Sequence, residues 1–267
     1  MNRRPVVAGQ FYAVSPLGLK RQVQQLLEPA ALREKAIGII APHAGFMYSG
    51  AVAGAVYSAI AVPKTFLLLG PNHTGMGAPV SLYAEGSWEV PTATFPIDTG
   101  LAQRIRLASS LIQADTAAHV REHSLEVQLP FIAETAKNAA IVPIAIMHVS
   151  LEECRLLGEA LATAIKETPY DVTMVASTDM SHYVTVQTAR RLDHLALERI
   201  AALDPEGLYK TVHEHRISMC GVYPATVMLF AAKALGARQA LQIRYATSGE
   251  VSGDFEQVVG YAGLLIK

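Results

Sequence analysis

The residues of greatest chemical reach in this chain are histidines set among proline and glycine. His43 stands in Ala41-Pro42-His43-Ala44-Gly45, and His73 in Gly70-Pro71-Asn72-His73-Thr74-Gly75. Asp179 and His182 share Ser177-Thr178-Asp179-Met180-Ser181-His182-Tyr183, and Cys220 lies in Ser218-Met219-Cys220-Gly221-Val222-Tyr223-Pro224. Imidazole and thiolate are ligands for iron, copper and zinc. A lone histidine after a strand is more often a hydrogen-bonded loop residue, and Gly45, Gly70 and Gly75 would serve ordinary turns. Their joint occurrence points instead to rigidly held imidazoles and one mononuclear metal site. Cys220 precedes a predicted helix, whose N-terminal partial charge favours thiolate. It reads first as a metal ligand, then as a nucleophile, then as a small buried hydrophobe. Cys154 sits inside a periodic helix and reads as packing. His123, in Arg121-Glu122-His123-Ser124-Leu125-Glu126, opens a helix with Glu126 about one turn on. That is either a cap with a salt-bridged face or a site wall that donates a proton or binds substrate. His194, His213 and His215 read as solvated, and His119 and His148 carry no assigned role.

Such chemistry needs a scaffold that brings distant loops together. All-apolar runs at 36–40, 65–69, 141–146 and 172–176 read as buried strands, followed by 241–245 and 258–266. Helical stretches lie between them at 17–27, 50–60, 101–111, 124–136, 151–165 and 188–201. Another follows Asp204-Pro205-Glu206, where an N-cap precedes Pro, and a last one spans 221–235 with Gly236 as its stop. The alternation predicts an α/β fold, a mixed or parallel sheet flanked by helices, built as a single domain over residues 1–267. Ligands in such sheets sit beyond the carboxyl ends of the strands. His43, His73, Asp179 with His182, and the loop from Tyr245 to Asp254 each follow a predicted strand, so they should converge on one edge. The segment 79–97 reads as an extra hairpin or an irregular active-site flap, with Tyr48, Trp88 and Tyr183 as candidate pocket walls.

Composition narrows the function classes. With 51% hydrophobic and 17% charged residues over 267 positions, the chain can bury a substantial core without disulfides. A net charge of −1 offers no basic surface for nucleic acid and no polybasic tail for a membrane. Two cysteines with no CxxC pair exclude a zinc ribbon and a thioredoxin motif, and suit a reducing cytoplasm. The N-terminal residues lack the apolar stretch of a signal peptide, and no apolar run is long enough to span a bilayer.

Several motifs carry a family resemblance. They are Arg4-Pro5-Val6-Val7-Ala8-Gly9-Gln10-Phe11-Tyr12, APHAGFMYSG from Ala41, GPNHTG from Gly70, EHSLEVQLPF from Glu122, STDMSHY from Ser177, MCGVYP from Met219 and YATSGEVSGD from Tyr245. In order and number they resemble the Memo-like family, including the bacterial proteins called AmmeMemoRadiSam system protein B. The likeness runs from the N-terminus to Gly263. It implies a fold similar to class III extradiol dioxygenases, which hold Fe(II) on two His and a carboxylate. It also implies that His43, His73 and Cys220 are the metal ligands here, with His182 as acid/base and Asp179 beside it. A thiolate in place of a carboxylate favours Fe(II), Cu or Zn and changes redox tuning, so ring cleavage does not follow from the fold. Radical-SAM system partners are implied by the family name alone.

Three functions compete at this point. The first is a non-haem metal-dependent oxidoreductase, dioxygenase-like, with Fe(II) or Cu on His43, His73 and Cys220, and with His182, Asp179 and His123 in proton transfer and substrate contact. The second is a non-catalytic metal-handling or ligand- or peptide-binding scaffold. The third is metal-independent thiol chemistry on Cys220. The substrate is not legible in the residues.

Overall fold

The all-apolar runs form the centre of a nine-stranded mixed sheet. A computed structural model describes residues 2–29 and 33–267. Its strands are β1 (Asn2–Arg3), β2 (Gly38–Ala41), β3 (Thr65–Pro71), β4 (Val80–Leu82), β5 (Ser87–Val90), β6 (Ala93–Pro96), β7 (Gln113–Ala114), β8 (Ala140–Ile146), β9 (Val172–Ser177), β10 (His182–Val184), β11 (Ala240–Thr247) and β12 (Val258–Ile266). Its helices are α1 (Pro16–Leu26), α2 (Phe46–Ala59), α3 (Thr99–Ala108), α4 (Leu129–Thr135), α5 (Leu151–Lys166), α6 (Val186–Ala201), α7 (Pro205–Glu214), α8 (Val222–Ala234) and α9 (Gly249–Ser252).

The sheet order is β10-β12-β2-β9-β3-β8-β4-β7, with β11 on β12. The centre, β2-β9-β3-β8, is parallel, while β12 and β4 run antiparallel on its two sides. Every residue of β2 and β3 is buried, because helices cover both faces, and this is why neither strand alternates polar with apolar. α2 packs on β2, β11 and β12 with α1 and α4 beside it, while α8 packs on β2, β3 and β9 with α5 against it. Both α2 and α8 are hydrophobic nearly all round, as helices wedged between a sheet and a second helix layer must be. One apolar core runs through these layers. No helix among the described residues is long and apolar enough to cross a membrane.

Most predicted elements stand, with instructive differences at their ends. α2 begins at Phe46, four residues before the expected start, because Gly45 serves as its N-cap. The helix expected over 124–136 enters through a tight turn at Glu126–Gln128 and becomes α-helical only at Leu129. α7 starts as predicted, with the Asp204 side chain accepting from the Gly207 N–H and Pro205 at the first position. The segment 79–97 is the hairpin rather than the flap. β5 and β6 pair antiparallel, β1 adds alongside β5, and none of these residues lines the cavity described below. Trp88 is therefore no pocket wall; it is fully buried beneath the Arg3 guanidinium, 4.2 Å from its ring centre.

Parallel strands put their carboxyl ends on one edge, and the polar residues follow at a constant distance. His43, His73 and Asp179 each lie two residues beyond the ends of β2, β3 and β9. Since Ala41 of β2 pairs with Ser177 of β9, the same offset sets His43 against Asp179.

A candidate metal centre at the carboxyl edge

Three imidazoles converge at this edge. His43, His73 and His123 each offer a ligand atom, and these atoms all lie within 4.8 Å of one another. The ring centres are 5.3 Å apart for His43 and His73, 5.5 Å for His43 and His123, and 4.9 Å for His73 and His123. They face a cavity of about 500 Å³ that Asp179, His182, Tyr48 and Tyr183 also line.

The tautomer of His43 follows from its neighbours. Its Nδ1 lies 2.9 Å from Ser177 Oγ. That hydroxyl donates its single hydrogen to the Ser124 carbonyl at 2.7 Å and accepts from Gln128 Nε2 at 2.9 Å. Only an N–H on His43 Nδ1 completes this set, so the Nε2 lone pair is the one left for the cavity. Burial, reinforced by the neighbouring His123 and His73, pushes the basicity of His43 well down. It stays neutral, the form that binds metals. The backbone N–H of His43 donates to Asp179 Oδ1 at 2.8 Å.

His73 is fixed by a carboxylate. Its backbone N–H donates to Glu122 Oε2 at 2.6 Å, and its Nδ1 to Glu122 Oε1 at 2.9 Å. Burial alone would push the Glu122 acid up, but the hydrogen bonds from His73 and the Ser124 N–H outweigh it and hold the pKa at about 2. Burial works against protonation of His73 too, and the bond to Glu122 reverses it, raising the imidazole. A carboxylate behind an imidazole is the usual second support of a ligating histidine. His123, next along the chain, packs against Phe11 and stacks on His73, with Nδ1 at 3.6 Å from Glu122 Oε1. Gly70 makes this possible, because a Cβ there would meet Leu125 Cδ2 at 2.5 Å and block the segment that carries Glu122 and His123.

Cys220 arrives from the opposite side. Its Sγ is 3.3 Å from His43 Nε2 and accepts from the Asp179 N–H at 3.2 Å. Gly221 permits the approach, since a Cβ there would meet Thr178 Cβ at 2.4 Å and Ser177 O at 2.5 Å. The lowered thiol pKa expected from the helix N-terminus is not found. Burial pushes the Cys220 thiol up, and Asp179 pushes it further. Burial likewise raises the Asp179 carboxyl. His182 lines the mouth, with Nδ1 donating to the Ser218 carbonyl at 2.8 Å, which turns its other nitrogen free. Both cysteines are free thiols, and Cys154 is buried packing as expected.

The structure thus gathers His43, His73, His123, Asp179 and His182 around one cavity, with Cys220 off its lining and in contact with His43. It also shows supports that the sequence reading passed over: Ser177, Gln128 and Glu122. Ser177 and Gln128 look like routine polar residues in sequence. Glu122 offered one signal, an acid directly beside a candidate histidine. Glu126, by contrast, turns away from the cavity. It accepts from Arg3 at 2.7 Å, from Tyr12 at 2.6 Å and from the Val6 and Val7 N–H groups, pinning the N-terminal strand segment.

The chemistry of the donor set fits a single divalent ion. For Zn–N bonds of about 2.0–2.1 Å, two nitrogens on one tetrahedral ion lie about 3.4 Å apart, so the three rings, whose donor atoms lie within 4.8 Å of one another, would draw together to hold it. The Cys220 sulfur is not among these mutually close donor atoms; of the three rings it contacts His43, at 3.3 Å.

Comparison with known proteins agrees with the motif reading. The model of the family described as Memo-like protein matches residues 3–265. A MEMO1 family protein of Methanothermobacter thermautotrophicus is 42% identical over 276 residues, covering 99% of this chain and 100% of the relative. One from Aquifex aeolicus is 40% identical, covering 98% of each chain. One from Methanopyrus kandleri is 38% identical, covering 100% of this chain and 99% of its own.

Proposed function

The chain belongs to the Memo-like protein family, and from that premise we propose that it is a non-haem metal-dependent oxidoreductase, dioxygenase-like in arrangement, acting on a small molecule. One mononuclear ion, Fe(II) or Cu before Zn, is held by His43, His73 and Cys220. Both free thiols suit work in a reducing cytoplasm. The observation that carries the reading is the convergence of three imidazoles from different loops on one cavity, with the Cys220 sulfur 3.3 Å from His43. The third place goes to Cys220 because its sulfur contacts His43 at Nε2, the nitrogen left for the cavity. His123 faces the incoming ligand from beside Phe11.

A bound iron or copper would supply one-electron and oxygen chemistry. The protein supplies the rest. Glu122 and Ser177 hold the ring orientations. Asp179 anchors the backbone of His43 and the thiol of Cys220. His182, with a free nitrogen at the mouth, moves a proton to or from the ligand. The thiol-nucleophile alternative has the wrong electrostatics, because burial opposes the thiolate and no cation stands by to favour it.

The test is the metal content of protein purified without oxygen, followed by oxygen uptake with candidate substrates. His43→Ala and His73→Ala should purify without stoichiometric metal. Cys220→Ala should lose metal more severely than His123→Ala. Equal retention in Cys220→Ala and wild type would reject the assigned ligand set, and metal without turnover across a broad substrate screen would assign a metal-handling scaffold instead.

A further inference from the structure

The walls of the same cavity speak to what it admits. Aromatic rings from Phe11, Tyr48, Tyr183 and Tyr261 line it together with the carboxylates Asp179 and Asp254, and no lysine or arginine is among the lining residues. Tyr261 is 2% exposed, yet its hydroxyl has no hydrogen-bond partner among the described residues. The groups whose charges bear on it are Asp179, Tyr48 and Tyr183. The Tyr261 hydroxyl is not sealed in the core: it opens on the cavity, where a ligand would meet it.

Tyr183 adds an independent sign. Its backbone φ is 57°, the left-handed region that a bulky residue occupies only at a cost of about 1–2 kcal/mol. The residue is 74% exposed, and its ring lines the cavity 5.9 Å from the ring of His182. Strained residues at a mouth are typical of ligand clamps. Asp254 is held on the same rim by a turn, its Oδ1 accepting from Glu256 N–H at 2.8 Å and Gln257 N–H at 3.3 Å. That leaves Oδ2 without a partner among the described residues.

An anionic ligand would find no cationic side chain here. A purely apolar one would strand the carboxylates and phenols. Phenol and phenyl faces beside a carboxylate are the environment that desolvates and holds an ammonium group. We propose that the cavity recognises ligands that carry a cationic nitrogen on an apolar body, the ammonium seated between the Tyr183 and Tyr261 rings and Asp254. The inference rests on the metal-centre reading only for where the reacting end of the ligand points.

The test uses matched probes on full-length protein, metal-free and Zn-loaded: phenethylamine, its trimethylammonium analogue, phenethyl alcohol and phenylpropionate, with Kd from calorimetry near neutral pH. Both ammonium probes should bind about tenfold tighter than the alcohol, and the carboxylate weakest in metal-free protein. The quaternary probe cannot ligate a metal, so its preference should persist without zinc. Asp254→Asn keeps the turn acceptor and should bring the ammonium-to-alcohol ratio close to one. Tyr183→Asn, a residue that tolerates the left-handed backbone, should weaken the quaternary probe severalfold. Tightest binding by the carboxylate in metal-free protein, an unchanged ratio in Asp254→Asn, or no saturable ammonium binding would each overturn the proposal. Failure to bind zinc would strike the metal-centre reading alone, because the ammonium preference is read in metal-free protein as well.

Discussion

Two settings of histidine flank one segment, residues 119–126, one opening on a cavity and one sealed in the core, and they are built for opposite ends. On one side, His43 and His73 each bond one nitrogen to a fixed acceptor and turn the other toward a cavity shared with more donor atoms. On the other side, His119 is fully buried and donates from Nε2 to the Ser81 carbonyl at 3.0 Å, while its Nδ1 has no partner. Its ring is walled in by Trp88 and Tyr83, with centres at 5.5 and 5.6 Å. Burial lowers the basicity of both His43 and His119, the latter to about 4. Low basicity therefore does not mark the functional histidine. What marks it is an open nitrogen aimed at other donors.

Arg3 joins the two regions, and removing it tests the structural side most severely. Its guanidinium donates to the His119 and Glu122 carbonyls at 2.7 and 2.6 Å and pairs with Glu126 at 2.7 Å, all out of solvent. Arg3→Met leaves the Glu126 charge buried and should cost about 3–5 kcal/mol in chemical denaturation, while the protein that remains folded still binds metal at wild-type stoichiometry. A loss under 1 kcal/mol, measured from the denaturation midpoint, would show that the clamp is not what orders this segment.

Acid should separate the two regions next. His119 protonates near pH 4 when folded but near about 6.5 when unfolded. Between those values the unfolded chain binds more protons, so this contribution is complete above about 6.5 and is lost as pH falls to about 4, worth about 3 kcal/mol. His119→Phe should give a flatter stability-against-pH curve than wild type over that window. Parallel curves would mean that His119 is not held neutral by its apolar walls.

The supports of the metal side should give smaller, graded effects. Glu122→Gln places an amide N–H against the His73 backbone N–H and removes the charge behind the ring. Zinc affinity should drop about 10- to 100-fold, and affinity within twofold of wild type would remove Glu122 from the centre. Ser177→Ala deletes the acceptor that selects the His43 tautomer, together with the bonds to Gln128 and the Ser124 carbonyl, while Gln128 keeps its bond to the Pro42 carbonyl. A cost of about 1 kcal/mol, or about fivefold in zinc affinity, is expected. Titration of zinc into both variants against a chromophoric chelator reads these differences.

The chain's residues by themselves determined the sheet and the loops that leave it. Apolar runs such as 65–69 suit doubly covered strands, and a histidine between proline and glycine just after one is legible without coordinates. Sequence order also carried the family, because its motifs are contiguous words. Pairings across the chain were not legible. That Ser177 and Gln128 select the tautomer of His43, that Glu122 rather than Glu126 backs the imidazoles, and that Trp88 serves Arg3 instead of the cavity all depend on strand register and on close approaches at Gly70 and Gly221. Periodicity along a chain reports which face a residue takes within its own element. Which nitrogen of an imidazole is left open depends on partners delivered by other elements, and only the packed fold decides that.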